Sequence, residues 1–190
     1  MKRVIFHIDV NSAFLSWEAV YRLYHLGAKQ DLRTMVSAVG GDMAMRHGII
    51  LAKSIPSKKF NIKTGESIME ARQKCPHLYL VPPNYGLYER CSKAFVDILH
   101  EYSPAVEQYS IDECYMDMTG TERIWGNPVD AANVIRNRIR DELGFTVNVG
   151  ISENKLLAKM ASDFKNPPAS LRMNSEQKFK EGDALRQSFE

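Results

Sequence analysis

Residues 3–10 (RVIFHIDV) form an almost unbroken apolar, β-branched run with Asp9 close to its end, the pattern of a buried strand. Phe14, Trp17, Val20, Tyr21 and Tyr24 then recur at three- and four-residue spacing, which predicts a helix with Ser12 as N-cap and Gly27 as its stop. Two short β runs, 35–39 and 49–53, flank a turn at Gly40-Gly41-Asp42 and predict a small hairpin layer. A helix over 67–74 ends ahead of Pro76, and a strand over 79–81 runs into Pro82-Pro83. Apolar positions 91, 95, 98, 99 and 102 mark a helix over 87–102. Strands over 106–111 and 114–118 follow, with Asp112-Glu113 between them. A helix begins at Pro128, presents Ala132, Ile135, Ile139 and Leu143 on one face and stops at Gly144; a strand over 145–151 and a helix over 154–164 complete the pattern.

This order of elements predicts an α+β fold, a mixed sheet with helices on one face, interrupted by a small inserted domain over 31–76. A weaker boundary is expected at Asn166-Pro167-Pro168, after which the chain is short and polar. There is no internal repeat and no low-complexity segment.

The chain has 190 residues, 44% of them apolar, enough for a core that needs no staples. Cys75, Cys91 and Cys114 form no C-x-x-C pair and are odd in number, against both a disulfide framework and a zinc site. No apolar run approaches bilayer length, so a cytoplasmic protein without a membrane partner is expected. Twenty-five Lys and Arg balance 23 Asp and Glu, and this bulk charge neither demands nor excludes a nucleic-acid partner. The distribution is more informative: residues 43–74 hold seven Lys/Arg and two Glu, whereas 94–122 hold seven Asp/Glu and no Lys or Arg. Such an acidic concentration fits a bound cation or a nearby basic surface, but on charge counts alone a pair of solvated faces is the simpler reading.

Asp9 ends one strand and Asp112-Glu113 lies between two others, so a sheet that sets these strands side by side gathers three carboxylates at one edge. Unpaired, they would repel one another. A pair of Mg²⁺ ions, hard cations that take oxygen ligands and leave room for phosphate, would resolve the repulsion and support phosphoryl transfer. On spacing alone, the same residues also read as a strand-end turn and a polar hairpin tip.

The wording is more specific than the spacing. HIDVNSAF (7–14) and YSIDECYMDMTG (109–120) resemble the two metal-binding motifs of Y-family DNA polymerases, and GISENKLLAKMASDFKNP (150–167) resembles a third signature of that family. The resemblance runs over about residues 3–167. It implies a ferredoxin-like palm at 1–30 and 77–166, fingers at 31–76, and the start of a thumb or tail at 167–190, with no complete thumb or little finger. It implies translesion, DNA-directed DNA polymerase activity in DNA repair and the SOS response, weak or absent in this length of chain alone. Primer-template DNA and a deoxynucleoside triphosphate are the implied partners, with a sliding clamp for the full-length protein. The implied catalytic residues and metal ligands are Asp9, Asp112 and Glu113, joined by the Val10 carbonyl, around two Mg²⁺ ions that Mn²⁺ can replace.

Phe14 stands at the family's steric-gate position, where a ring excludes a ribose 2′-hydroxyl; it also belongs to its helix's apolar stripe. The implied nucleotide contacts are Asn11, Ser12 and Ala13 at a helix start, Phe14, Lys58 and Lys159. Lys58 replaces the family's Arg, losing its bidentate fork, and Ile55 replaces a Tyr and cannot hydrogen-bond phosphate. Two other readings stand beside this one: a non-catalytic DNA- or replisome-binding remnant, and a palm-fold nucleotidyl cyclase, although Met43-Ala44 does not continue Gly40-Gly41-Asp42 into a cyclase signature.

Overall fold

The computed structural model describes residues 2–41 and 48–163. Asp42 of the expected turn, the 166–168 boundary and the tail lie outside these residues. In chain order the first elements are β1 (Ile5–Val10), α1 (Ala13–His25), β2 (Ser37–Gly40), β3 (Ile50–Lys53), α2 (Ile55–Lys58), α3 (Ile68–Lys74) and β4 (Tyr79–Val81). Then come α4 (Tyr85–His100), β5 (Val106–Gln108), β6 (Glu113–Asp117), α5 (Glu122–Trp125), α6 (Pro128–Leu143), β7 (Val147–Ser152) and α7 (Lys155–Asp163). The four-residue helices α2 and α5 were not expected, being too short to show a helical period. No helix of the described residues is long and apolar enough to cross a membrane.

The chain divides into two compact units, Ser12–Cys91 on the one hand and the first eleven residues with the chain from Ser92 onward on the other. The inserted unit therefore begins before and ends after the 31–76 stretch marked by composition. Helix α1 packs on β2 and β3, and β4 pairs in parallel with β2, closing a three-stranded sheet of order β3-β2-β4. Its core gathers Ala38, Ile50, Ile62, Ile68, Ala71, Cys75 and Leu78. Helix α3 opens with a capping box: the Ser67 hydroxyl accepts from the Glu70 amide, and the Glu70 carboxylate accepts from the Ser67 amide.

The other unit is built on an antiparallel sheet of order β5-β6-β1-β7. Because side chains alternate across a strand, β1 presents Phe6, Ile8 and Val10 to one face and Ile5, His7 and Asp9 to the other. The first set is buried, with Cys114 and Met116 of β6 at the matching positions. Helix α6 packs on β7 and has its ends set by sequence. The Asn127 side chain accepts from the amides of Val129 and Asp130, and Gly144 takes a left-handed conformation at φ 73° that ends the helix.

The opposite face lies under α7, where Ile5, Tyr115 and Ala158 are buried together. Helix and sheet meet at Gly150, the β7 partner of His7. A Cβ there would stand 2.0 Å from the Ala158 carbonyl oxygen and 2.4 Å from the Ser162 nitrogen. Only a residue without a side chain allows this approach. Strand β5 ends at Gln108, three residues before the expected 111, because the chain folds back: the amides of Tyr109 and Ser110 both donate to the Glu113 carbonyl, at 2.9 and 3.2 Å.

Candidate active site

Asp9 and Glu113 are direct cross-strand partners in the β1–β6 register, so both side chains stand on the α7 face of the sheet. One step on, the Val10 amide donates to the Asp112 carbonyl at 3.0 Å, fixing Asp112 at the same strand ends. The Asp112 carboxylate accepts from the Ser110 hydroxyl at 2.8 Å, giving the serine of the S-I-D-E motif a positioning role. The electrostatics record this convergence. Burial first, and then the charges of Asp112 and Glu113, push the Asp9 carboxyl up to about 7, with Lys159 pulling weakly the other way.

Lys159 is the resident cation of this corner. Its ammonium donates to Glu113 Oε2 at 2.5 Å and lies 5.0 Å from the centre of the Tyr109 ring. The bond to Glu113 holds its pKa above the ordinary lysine value. Deeper in the same face, His7 is only 1% exposed, and its Nδ1 lies 2.7 Å from Ser162 Oγ. The Ser162 hydroxyl gives its one proton to the Lys159 carbonyl at 2.8 Å, so it accepts from His7 Nδ1–H. A neutral His7 then turns a bare lone pair at Nε2 toward Glu113 Oε2, 3.6 Å away. Burial holds the imidazole below its ordinary pKa, outweighing the opposing pull of Glu113. Nε2 is a buried nitrogen without a hydrogen-bond partner, so Glu113 takes its short hydrogen bond from Lys159.

The donor chemistry fits divalent cations: hard carboxylate oxygens, crowded and partly desolvated, whose repulsion a metal would relieve. Among the described residues, however, no three His, Cys, Asp or Glu side chains stand as a formed metal-binding group. Glu113 is turned to Lys159.

The model of the impB/mucB/samB family matches residues 8–163, which takes in the strands, the acidic corner and α7. The chain belongs to this family. Among curated relatives of this Y-family chain, DNA polymerase IV of Clostridium acetobutylicum is 52% identical over 167 residues, 88% of this chain and 42% of that protein. DNA polymerase IV of Acetivibrio thermocellus is 44% identical over 181 residues, 95% of this chain and 43% of that one. Among solved structures, DinB from Sulfolobus solfataricus has a TM-score of 0.74 and 25% identity, covering 86% of this chain and 46% of that one. An insertion ternary complex of Dbh DNA polymerase has a TM-score of 0.73 and 26% identity over the same shares. The fold is therefore the α+β plan of the palm-and-fingers region of Y-family polymerases, and the chain spans less than half the length of these relatives.

The remaining residues singled out in the sequence fall around the start of α1 and in the Ser12–Cys91 unit. Asn11 is committed to structure: its amide donates to the Thr146 carbonyl at 2.9 Å and its side chain to the Thr146 hydroxyl at 3.1 Å. The amides expected to meet phosphate thus narrow to Ser12 and Ala13. Ser12 precedes α1 in a left-handed conformation (φ 48°, ψ 52°) and makes no side-chain cap bond, unlike the N-cap read from the sequence. A non-glycine residue held there stores strain of the kind that collects at functional turns.

Phe14, half-buried in the first turn of α1, stacks on Tyr88 with ring centres 4.6 Å apart and planes 15° apart. The Tyr88 hydroxyl donates to the buried Glu18 carboxylate at 3.2 Å, and Glu18 also accepts from Arg22. Lys58 is exposed at the end of α2, a helix begun by a buried serine cluster. The Ser54 hydroxyl accepts from the Ser57 amide, and the Ser57 hydroxyl donates to the Ser37 carbonyl. Ile55 is 73% exposed. Sequence reading missed His7, Ser162, Ser110, Tyr88 and Gly150. Of these, only the spacing of Lys159 and Ser162 to neighbouring turns of one helix hinted at a shared face.

Proposed function

We propose that this chain is the catalytic palm-and-fingers part of a translesion DNA polymerase, which joins a deoxynucleotide to a primer 3′-hydroxyl on a DNA template. The observation that carries the reading is the register that seats Asp9 opposite Glu113 with Asp112 beside them, three acids from distant parts of the chain at one sheet corner. In this reading residues 1–30 and 77–166 are the palm and 31–76 the fingers. Asp9, Asp112, Glu113 and the Val10 carbonyl would hold two Mg²⁺ ions, or Mn²⁺ in their place. When bound, these ions supply a lowered pKa at the attacking hydroxyl and charge stabilisation at the leaving pyrophosphate.

The chain's own groups do the rest. Lys159 neutralises phosphate charge, and the Ser12 and Ala13 amides at the start of α1 offer donors at a positive helix end. Phe14 as the sugar gate and Lys58 as a triphosphate cation are proposed from the sequence match. The Tyr88–Glu18 brace supports the first role, because it fixes the Phe14 ring in place. Primer-template DNA is the expected partner, with a sliding clamp proposed for the full-length protein.

Calorimetric titration with a deoxynucleoside triphosphate and Mg²⁺ tests the reading. Binding to the wild-type chain is expected to depend on the metal and to weaken at least about tenfold in Asp9→Ala. In Phe14→Ala the preference for deoxy- over ribonucleotide should fall by a similar factor. Metal-dependent binding that survives Asp9→Ala would remove the acidic corner from the site, and unchanged sugar preference would remove Phe14 from the gate.

A further inference from the structure

We propose that Lys159 is the resting occupant of the metal-binding corner and that it makes metal and nucleotide binding mutually dependent. The inference rests on the polymerase reading and adds to it an order of events at Glu113. The decisive contact is the one between two groups that the reading gives to different ligands: Glu113 to a metal ion and Lys159 to a triphosphate. In the structure they hold each other, at 2.5 Å, with side-chain exposures of 33% for Lys159 and 22% for Glu113.

The ammonium takes a lone pair of Glu113 Oε2 and offsets the carboxylate charge, so a Mg²⁺ ion binding Glu113 would meet a weaker ligand and a positive charge beside it, and the two cations compete for the carboxylate. Nor does another donor release Lys159, since His7 Nε2 presents a lone pair to the same oxygen from 3.6 Å. Lys159 does have a second perch. Its ammonium already lies 5.0 Å from the Tyr109 ring centre, and Tyr109 is 63% exposed, so cation–π attraction can hold it on the open side once Glu113 lets go. The backbone of α7 stays put meanwhile, tied through Ser162 to both His7 and the Lys159 carbonyl. The exchange therefore needs only a lysine side chain to swing.

Metal and nucleotide consequently assist each other. A phosphate draws Lys159 from Glu113 and frees the carboxylate for metal, and a metal ion on Glu113 frees Lys159 for phosphate. By linkage the coupling is the same in both directions. Without nucleotide, Lys159 keeps the corner sparsely filled, which restrains metal-dependent chemistry until the substrate is present.

Mn²⁺ alone is the probe, its free aqua ion counted by electron paramagnetic resonance in titrations of the whole chain. Lys159→Met keeps the aliphatic stem and removes the ammonium. Without nucleotide it should bind Mn²⁺ about fivefold more tightly than wild type, a factor at the low end of common coupling strengths. A saturating non-hydrolysable deoxynucleoside triphosphate should tighten Mn²⁺ binding in wild type and change it little in Lys159→Met. Lys155→Met is the control for general field effects: it removes the same charge from the same helix, where Lys155 pairs with Glu107, and should alter Mn²⁺ binding less than twofold. Asp9-dependent Mn²⁺ binding that is unchanged or weaker in Lys159→Met overturns the proposal alone, as does an equal gain in Lys155→Met. Absence of Asp9-dependent Mn²⁺ binding in all of these proteins overturns the polymerase reading and this one with it.

Discussion

Asp9→Asn is expected to raise the melting temperature of the metal-free chain at pH 7.5 and to abolish the further rise expected of the wild type in Mg²⁺. Asp9 is crowded by two other carboxylates and partly removed from water, and its pKa stands near 7 rather than the ordinary 3.8. A carboxyl whose folded pKa is raised binds more protons in the native than in the unfolded chain across the interval between the two values. Its contribution to stability is therefore greatest at low pH and declines as pH climbs from about 4 to 7. Above that window the native state carries a charge it would shed if it could. Allowing for solvent screening of a side chain that is not fully buried, the cost is about 2 kcal/mol. For a chain of 190 residues this corresponds to roughly 4–8 °C.

Asparagine keeps the shape and lacks the charge, so the variant should also show a flatter dependence of melting temperature on pH between 5 and 7.5. In the proposed reading Mg²⁺ stabilises wild type by binding the native state, and the variant would lack one of the ligands. Calorimetric melting at several pH values, with and without Mg²⁺, gives the answer. A variant that melts lower than wild type with an unchanged pH slope would show that Asp9 is not under electrostatic stress.

Gly150→Ala should be more damaging than any single change on the surface of α7. The added methyl meets backbone atoms, the Ala158 carbonyl oxygen at 2.0 Å and the Ser162 nitrogen at 2.4 Å, and neither can rotate away as a side-chain tip would. The helix must lift from the sheet, at a cost of about 3 kcal/mol or more. Because α7 carries both Lys159 and Ser162, lifting it also breaks the bonds to Glu113 and His7. Urea denaturation should show the lost stability, and amide hydrogen exchange should show the loss concentrated in α7 and the facing stretch of β7. Wild-type stability in the variant would mean that helix and strand are not in the close contact described.

Much of this architecture is legible in the sequence. The long helices α4 and α6 and the central strand β1 came out within about two residues, because their apolar positions repeat over several turns or run without a break, and α6 carries its own start and stop in Asn127-Pro128 and Gly144. The short elements did not. Four-residue helices carry no period, and β4 was read as a strand without any sign that its partner is β2, since three apolar residues say nothing about pairing. The contact boundary of the inserted unit, Ser12–Cys91, differs from the 31–76 stretch, because the basic composition of 43–74 follows charge along the chain, whereas the contact boundary follows which buried faces meet.

The acidic corner divides in the same way. Motif wording named Asp9, Asp112, Glu113 and Lys159 one by one, since each sits in a run of residues whose order is itself informative. Strand register set Asp9 opposite Glu113, and the packing of α7 on the sheet brought the ammonium of Lys159 onto Glu113. His7 looked like one more residue of a buried strand, and Gly150 like an ordinary strand glycine. Their roles depend on what lies on the other side, a helix close enough to take a hydrogen bond from one and leave no room beside the other. Local sequence determined the elements and the chemistry each could carry, because propensity and motif act over a few residues. Which charges repel, which pair and which nitrogen is left bare were decided only by tertiary packing, because electrostatic and steric energies depend on distances between segments far apart in the chain.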